Sequence, residues 1–426
     1  MKKIAIIGSG FVGLGAAFKL VNSGYNITVF EKENDPGGLA GGFKLSHWQW
    51  SLERHYHHWF SNDHFILNLA KQINYLSVVK RPKSSVFISN LLYQLDSLYH
   101  VATFPKLNLA SKVRMAAVLA FLRLNPFGVY LDNISAHDFL KAAMGDISYK
   151  MIWDPQLGNK FGEYKREVSL SWFWARIYKR TAKLVYPEGG FLSFAEALQE
   201  EIEKKGGKFT FGEEALAIRK EKDKLLVETK SGKEKFDVVI VTTPIRFFLK
   251  MVKNLPTKYC NDLRKLRSLA AVNMVLRLKK PFLTEGTYWL SICKPKSKIT
   301  AIVEHTNFID KKFYGGEHLV YLGNYLKETD LRFQMNNQAL LSYYDSMLRK
   351  INPSYKENLL GFEVFRNLDA QPIISVGYKK IIPPFKTPVS NLYLANMDQV
   401  YPWDRGTNYA VEVGEKAADA IMALKH

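Results

Sequence analysis

The chain has 426 residues, 47% of them hydrophobic and 23% charged. At about 100–200 residues per domain this is enough for two to three packed domains, and it excludes disordered and fibrous classes. Two cysteines, Cys260 and Cys293, exclude a disulfide framework and a cysteine-based zinc or iron–sulfur site, and they point to a reducing compartment. Sixty Lys and Arg against forty Asp and Glu leave a formal charge of +20, which suits nucleic acid, anionic lipid or a phosphorylated substrate as partner.

Lys2 and Lys3 ahead of an apolar run imitate a secretion signal, but Gly8, Gly10, Gly13 and Gly15 break the run, and no small-residue cleavage site precedes Asn22 and Ser23. No uninterrupted apolar stretch reaches the roughly eighteen residues of a spanning helix. Ile4–Ile7 reads as a buried parallel strand, Leu14–Leu20 as a helix, and Asn26–Phe30 as a second strand ending at Glu31. The glycines between them have dinucleotide-site spacing. Gly8 permits the turn, Gly10 lets backbone approach a pyrophosphate, and Gly13 lets the helix pack on the strand, with the helix N-terminus facing the phosphate charge. Glu31 is placed to accept from both ribose hydroxyls and disfavours a 2′-phosphate. A second cluster follows at Gly37, Gly38, Leu39, Gly41 and Gly42. NAD needs no such cluster. FAD, whose second half would cross this loop, does.

Glu53–Asp63 is the densest polar and aromatic segment and holds His55, His57 and His58. A metal reading fails there because no carboxylate–histidine set elsewhere completes a site; one imidazole over a flavin is the functional alternative. Ser85–Leu95 reads as a strand-like run. Lys112–Arg123 is a short apolar helix flanked by basic residues, either of the kind that lies at membrane interfaces or an ordinary core helix of the substrate domain. From Lys106 to Lys183 there are thirteen Lys and Arg against six Asp and Glu. Further strands are expected at Ala215–Thr229 (a hairpin), Phe236–Thr243, Val272–Leu278, Ile299–Glu304 and Glu317–Leu322, with a helix over Asn337–Ile351. Near the end, Asn391–Ala395 reads as a strand, Asn396–Tyr409 as a polar turn, and Ala410–Leu424 as a helix whose N-terminus offers N–H groups to a flavin edge or a phosphate. No helix-turn-helix, zinc-finger or RNP pattern speaks for nucleic acid.

GSGFVG at 8–13, Glu31, the Gly37–Gly42 cluster and DRGTNYAVEVG at 404–414 resemble the FAD-binding superfamily of amine oxidases, protoporphyrinogen oxidases, carotene desaturases and UDP-galactopyranose mutases. The resemblance implies an α/β (α+β overall) fold: a Rossmann-like FAD-binding domain of glutathione-reductase type, interleaved with a mixed sheet-and-helix substrate domain. The FAD-binding pieces are expected at 1–75, 190–265 and 385–426, and the substrate pieces at 76–189 and 266–384. Non-covalent FAD is the implied cofactor, with NAD(P)H as an external reductant. Arg54, Asn396, Arg405, Gly406 and Asn408 join the glycines, Leu39 and Glu31 as implied contacts.

Within the substrate domain the motifs are similar to those of the mutases. His57 with Asn62 and Asp63 resembles their histidine loop, with Phe60 in place of its second histidine. Lys160–Glu163 through Leu170 and Trp172 to Arg180 looks like the stretch ending in a phosphate-binding arginine. Tyr186–Phe191 resembles the glycine turn that follows, and Ile302–Phe308 the Glu-His strand. Where the mutases carry a second diphosphate-binding arginine, this chain has Thr300 and Ala301. One arginine, Arg180, suits a monophosphate, and the implied substrate is a sugar on a polyprenyl phosphate. The implied catalytic set is His57, Tyr164, Arg180, His305, Asn307 and Tyr409. In that chemistry reduced flavin nitrogen-5 displaces the phosphate from the anomeric carbon, and the sugar opens as a flavin iminium and recloses in the other ring size. The rival class is a net oxidoreductase of the protoporphyrinogen oxidase or carotene desaturase type acting on an apolar, membrane-held substrate. Either reading places the protein in the cytoplasm, peripherally on the inner, anionic face of the cell membrane, with no metal and no nucleic acid.

Overall fold

The structure is a computed structural model that describes residues 2–423; Met1 and residues 424–426, which fall within the expected outermost pieces and the terminal helix, lie outside it. Lys3–Ile7 is buried on both faces apart from Lys3, as a central parallel strand must be. It pairs with Asn26–Phe30 on one side and Val238–Val241 on the other, Ile4 lying opposite Ile27 and Val238. The sheet runs 208–210, 26–30, 3–7, 238–241, 392–394, all parallel. Its strands thus come from three separated parts of the chain. Helix Phe11–Asn22 covers one face and packs along the terminal helix Thr407–Met422.

The second sheet has seven strands in the order 359–372, 268–278, 318–326, 301–304, 287–292, 83–88, 91–94. All its pairings are antiparallel except that of Thr287–Ile292 with Lys83–Ile88. A helical unit over residues 98–179 caps one end, with its own core around Met115, Leu122, Leu140, Tyr149, Ile152 and Leu170. One hydrophobic cluster runs without a break from Ile4 and Leu14 through Phe191 to Tyr288 and Tyr321 of the second sheet. Burial of this kind contributes about 25 cal/mol per Å², so the two sheets are fixed against each other. No helix among the described residues is long and apolar enough to cross a membrane.

Three expectations change at the level of elements. Ser85–Leu95 is a hairpin, Lys83–Ile88 and Leu91–Gln94, because Ser89 and Asn90 both take positive φ (51° and 64°) and turn the chain back. Phe236–Thr243 divides: Lys233–Phe236 closes a three-stranded antiparallel sheet with the 215–229 hairpin, and only Val238–Val241 enters the parallel sheet. The terminal helix begins at Thr407, so Gly406 is its N-cap.

Candidate active site

The first glycine loop lies at the carboxyl end of the parallel sheet. Gly8 has φ +106°, a conformation that side-chain-bearing residues rarely adopt, and a Cβ on Gly13 would stand 2.0 Å from the Gly8 carbonyl oxygen. Gly10 bridges Gly37 of the second cluster, whose N–H donates to the Ser9 carbonyl at 3.0 Å. A Cβ on Gly38 would reach 3.1 Å from the Gly10 Cα. Two glycine loops thus face each other backbone to backbone. Leu39 reaches on into the site, Gly41 receives the Arg54 N–H at 3.1 Å, and Gly42 pairs with Glu53. Glu31 is buried; one carboxylate oxygen accepts from Ser9 N and Oγ (2.8 and 2.9 Å) and the other from Glu33 N (3.0 Å). A carboxylate has about four lone-pair positions, so acceptor capacity remains for ribose hydroxyls. The Asn396 amide donates to the Thr243 carbonyl at 3.1 Å, at the same sheet end. This bare-backbone cradle with a fixed acid behind it fits FAD.

Across from the cradle is a second constellation. Helix Asp154–Phe161 brings Lys160, and helix Leu170–Lys179 brings Trp172 and Arg176, with Arg180 just past its end. The 401–406 turn supplies Asp404 and Arg405, and strand His318–Leu326 supplies Tyr325. Asp404 accepts from Trp172 Nε1 at 2.9 Å, pairs closely with Arg176, and lies 3.6 Å from Lys160 Nζ. The Lys160 ammonium sits 4.8 Å from the Trp172 ring centre and 5.4 Å from that of Tyr325. Arg405 lies over Tyr325, bonds its hydroxyl, and donates to Gln371 at 2.9 Å.

Two cations, Lys160 and Arg176, therefore share one carboxylate, and Arg405 and Arg180 both feel the Arg176 charge. Burial would raise the Asp404 pKa, but Lys160 and Arg176 outweigh it and hold it below the ordinary value. The cations are under-compensated. Burial, with help from Arg176 and Arg405, pulls Lys160 well down despite Asp404. Burial and Arg176 lower Arg405 despite Tyr56. Arg180 reaches solvent, yet the cleft walls and Arg176 bring it down to about 10. An anion entering among these groups favours their charged forms and raises their pKa values again.

Between the two halves is a small cavity bordered by Leu39, Tyr56, His57, Tyr325 and Arg405. His57 Nδ1 donates to the His55 carbonyl at 2.6 Å, which leaves Nε2 as a bare acceptor. Burial, reinforced by Arg405, holds its pKa near 3. His55 has no free nitrogen: Asn273 donates to Nδ1 at 2.7 Å and Nε2 donates to Asn367 at 2.5 Å. His58 meets the Tyr288 hydroxyl at 3.1 Å and is kept neutral by burial and then by Arg180. Tyr409 stacks on Trp403, beside Asp404.

The remaining expected residues have other partners. His305 is enclosed by the rings of Tyr186, Tyr314 and Tyr321 and bonds the Tyr314 hydroxyl at 2.8 Å. Asn307 donates to the Thr287 and Leu283 carbonyls, while Glu304 accepts from Phe282 and Leu283 N–H groups. The Glu-His segment is therefore turned into the sheet and holds its loops. Tyr164 lies under Arg267 and Lys327, away from Asp404. Asn408 caps helix His64–Gln72 through the N–H groups of Phe65 and Ile66, which commits its amide oxygen to the helix. Asp63 accepts from Phe60 N, and Asn62 donates to the Lys179 carbonyl, so both shape a turn. The sequence reading gave no role to Arg176, Asp404, Tyr56 or Tyr325. Arg176, one helical turn before Arg180, carried a usable signal. Among the described residues no group of three or more His, Cys, Asp or Glu is placed to hold a metal.

Comparison with known proteins agrees with this geometry. The profile of the flavin containing amine oxidoreductases matches residues 11–422. A 1-hydroxycarotenoid 3,4-desaturase of Flavobacterium sp. (strain P99-3) is 44% identical over 52 residues, 12% of this chain and 11% of that enzyme; the chain matches only about a tenth of its length. Reduced UDP-galactopyranose mutase superposes with a TM-score of 0.79 at 18% identity, covering 100% of this chain and 96% of the mutase. Cyclohexylamine oxidase of Brevibacterium oxydans IH-35A gives 0.75 at 14%, covering 100% of both chains. At these identities the superpositions show a shared fold.

Proposed function

Because the chain belongs to the flavin containing amine oxidoreductase family and its cofactor is FAD, we propose that it is a flavoenzyme interconverting the pyranose and furanose rings of a phosphate-linked sugar, carried on a polyprenyl phosphate. The observation that supports this reading is the cleft in which Lys160 and Arg176 share the carboxylate of Asp404 while Arg180 and Arg405 both lie within electrostatic reach of Arg176. A protonated amine would be repelled there, and a neutral hydrocarbon such as a carotene would leave the charges buried and unused. A phosphate would be held by them. Cytoplasmic work at a membrane surface follows from the lipid carrier.

When bound and reduced, FAD supplies a nucleophilic ring nitrogen that is regenerated in each turnover. The chain supplies the rest. Arg180 and Arg176, four residues apart, neutralise charge developing on a departing phosphate, with Lys160 and Arg405 deepening the positive field. Trp172, Tyr56 and Tyr325 give the sugar ring flat walls that exclude water. Neutral His57, its Nε2 bare, accepts from a sugar hydroxyl and fixes the ring's orientation. Asp404 keeps Arg176 and Lys160 aligned.

The test is redox stoichiometry. The enzyme should require prior reduction, by dithionite or NAD(P)H, and then convert sugar without consuming an oxidant. Stoichiometric uptake of oxygen or quinone with each turnover would replace this reading with a net oxidoreductase.

A further inference from the structure

Helix Leu109–Leu124 carries two apolar faces. Ser111, Met115 and Leu122 pack inward. At about 100° per residue, Leu109, Val113, Phe121 and Leu124 fall in one outward stripe, and all four are exposed, Leu109 and Leu124 by 76% and 78%. A surface helix of a protein that remains in water carries polar residues on this stripe. The short helix Leu98–Ala102, packed against it, adds exposed Leu98 and Tyr99. Contiguous exposed apolar surface of this kind marks a docking site.

The charge around the stripe identifies its occupant. From Ser97 to Leu131 there is no Asp or Glu, while Lys106, Lys112, Arg114 and Arg123 are present. On the helix, Lys112 and Arg123 flank the stripe on one side and Arg114 on the other. Arg114 donates to the Ala142 and Ala143 carbonyls, and Arg123 to those of Ile177, Tyr178 and Arg180. These acceptors are neutral carbonyls, not carboxylates. An apolar ridge bordered by uncompensated cations matches an anionic bilayer, with acyl chains under the ridge and headgroups at its margins.

We propose that this face docks the protein on an anionic membrane surface. The Arg123 bond to the Arg180 carbonyl, 2.8 Å long, places the cleft arginine at the margin of the docked face. A lipid-linked phosphate can then enter the cleft from the bilayer plane; this last step rests on the ring-interconversion reading, and the docking itself does not.

The experiment is flotation of the FAD-loaded full chain with phosphatidylcholine vesicles, with and without phosphatidylglycerol. Wild type should float only with the anionic vesicles and be released near 1 M salt, where the Debye length falls to about 3 Å. V113E/F121E/L124E should lose about tenfold or more of the vesicle-bound fraction, and K106E/K112E a comparable amount. Since Lys106, Val113, Phe121 and Leu124 are exposed and Lys112 is only half-buried, both variants should keep the wild-type FAD content and melting temperature. Wild type that never floats, or an apolar-stripe variant that floats equally, overturns the proposal. So does a wild-type dimer, by light scattering, that this variant dissociates without any vesicle binding, because the face would then be an interface between copies. No arm involves turnover, so failure here leaves the redox test of the enzyme intact, and failure there leaves docking intact.

Discussion

Arg176 and Arg180 are separated by one helical turn, and in the proposed reaction they share the task of holding an anion, which makes their contributions separable from the cofactor's. Removing one preorganised electrostatic group typically costs about 10²–10³ in turnover. Arg180→Ala should therefore cut turnover by about that factor while FAD content is unchanged, and Arg180→Lys should restore only part, because an ammonium cannot reproduce the guanidinium fork. Arg176→Ala should cost as much and also free Asp404, whose pKa should rise without its close partner. Equal activity of either alanine variant with the lipid-phosphate sugar would remove the anion role. Arg180 was legible because it ends a recognisable stretch. Arg176 offered only its one-turn spacing from Arg180, and Tyr325 offered nothing, since their importance comes from Asp404 and Arg405, more than seventy residues further along the chain in each case. His305 and Asn307 show the converse: the Glu-His pattern is present in the sequence, but whether a strand end faces a cleft or a sheet depends on neighbours such as Tyr314 that no spacing reveals.

At the scale of elements, the strand–glycine–helix–strand unit at the N-terminus was readable nearly residue by residue. Its pattern is dictated by backbone sterics alone, and sterics are local. Gly13→Ala should test this. The added methyl meets a backbone oxygen, not a flexible side chain, so helix Phe11–Asn22 must move off the sheet. The purified variant should lose most flavin absorbance and melt at lower temperature. Full flavin content would show that the close helix–strand approach is not required. Glu31→Ala acts differently: it keeps the backbone but removes charge-assisted acceptors worth about 1.5–3 kcal/mol. FAD should bind about tenfold to about a hundredfold more weakly, read by fluorescence titration of the apoprotein. The strand Leu359–Pro372 had no comparable local signal. It is half-buried over most of its length and carries Asn367, Asp369 and Gln371, so only its pairing with Ser268–Leu278 makes it a strand.

For the whole molecule, the buried titratable groups set a pH window. His55 is held near 4, and His57, His58 and His305 near 3, in each case chiefly by burial. Their folded values lie below the ordinary 6.5, so the stability they give is present above that pH and is lost as pH falls toward the folded values. Glu53 works in the opposite sense. It is fully buried, and one oxygen accepts from Tyr186 OH at 2.7 Å and Phe191 N at 2.9 Å while the other has no partner. Burial outweighs these bonds and raises its pKa from 4.5 to about 7. The folded protein therefore holds a proton that the unfolded chain has released. The stabilisation is complete below about 4.5 and is lost as pH rises through 7, a change of up to about 3 kcal/mol at 1.36 kcal/mol per unit. Asp398, raised to about 7 by burial and then by Asp369, adds to the same slope. In Glu53→Gln the carbonyl oxygen can still accept from Tyr186 and Phe191, and no proton is gained or lost. Melting curves of FAD-loaded wild type and variant should lie close together at pH 5 and separate as pH rises to 8, the variant becoming the more stable by a few degrees. Curves that stay parallel across that range would mean that Glu53 is ionised in the folded protein throughout.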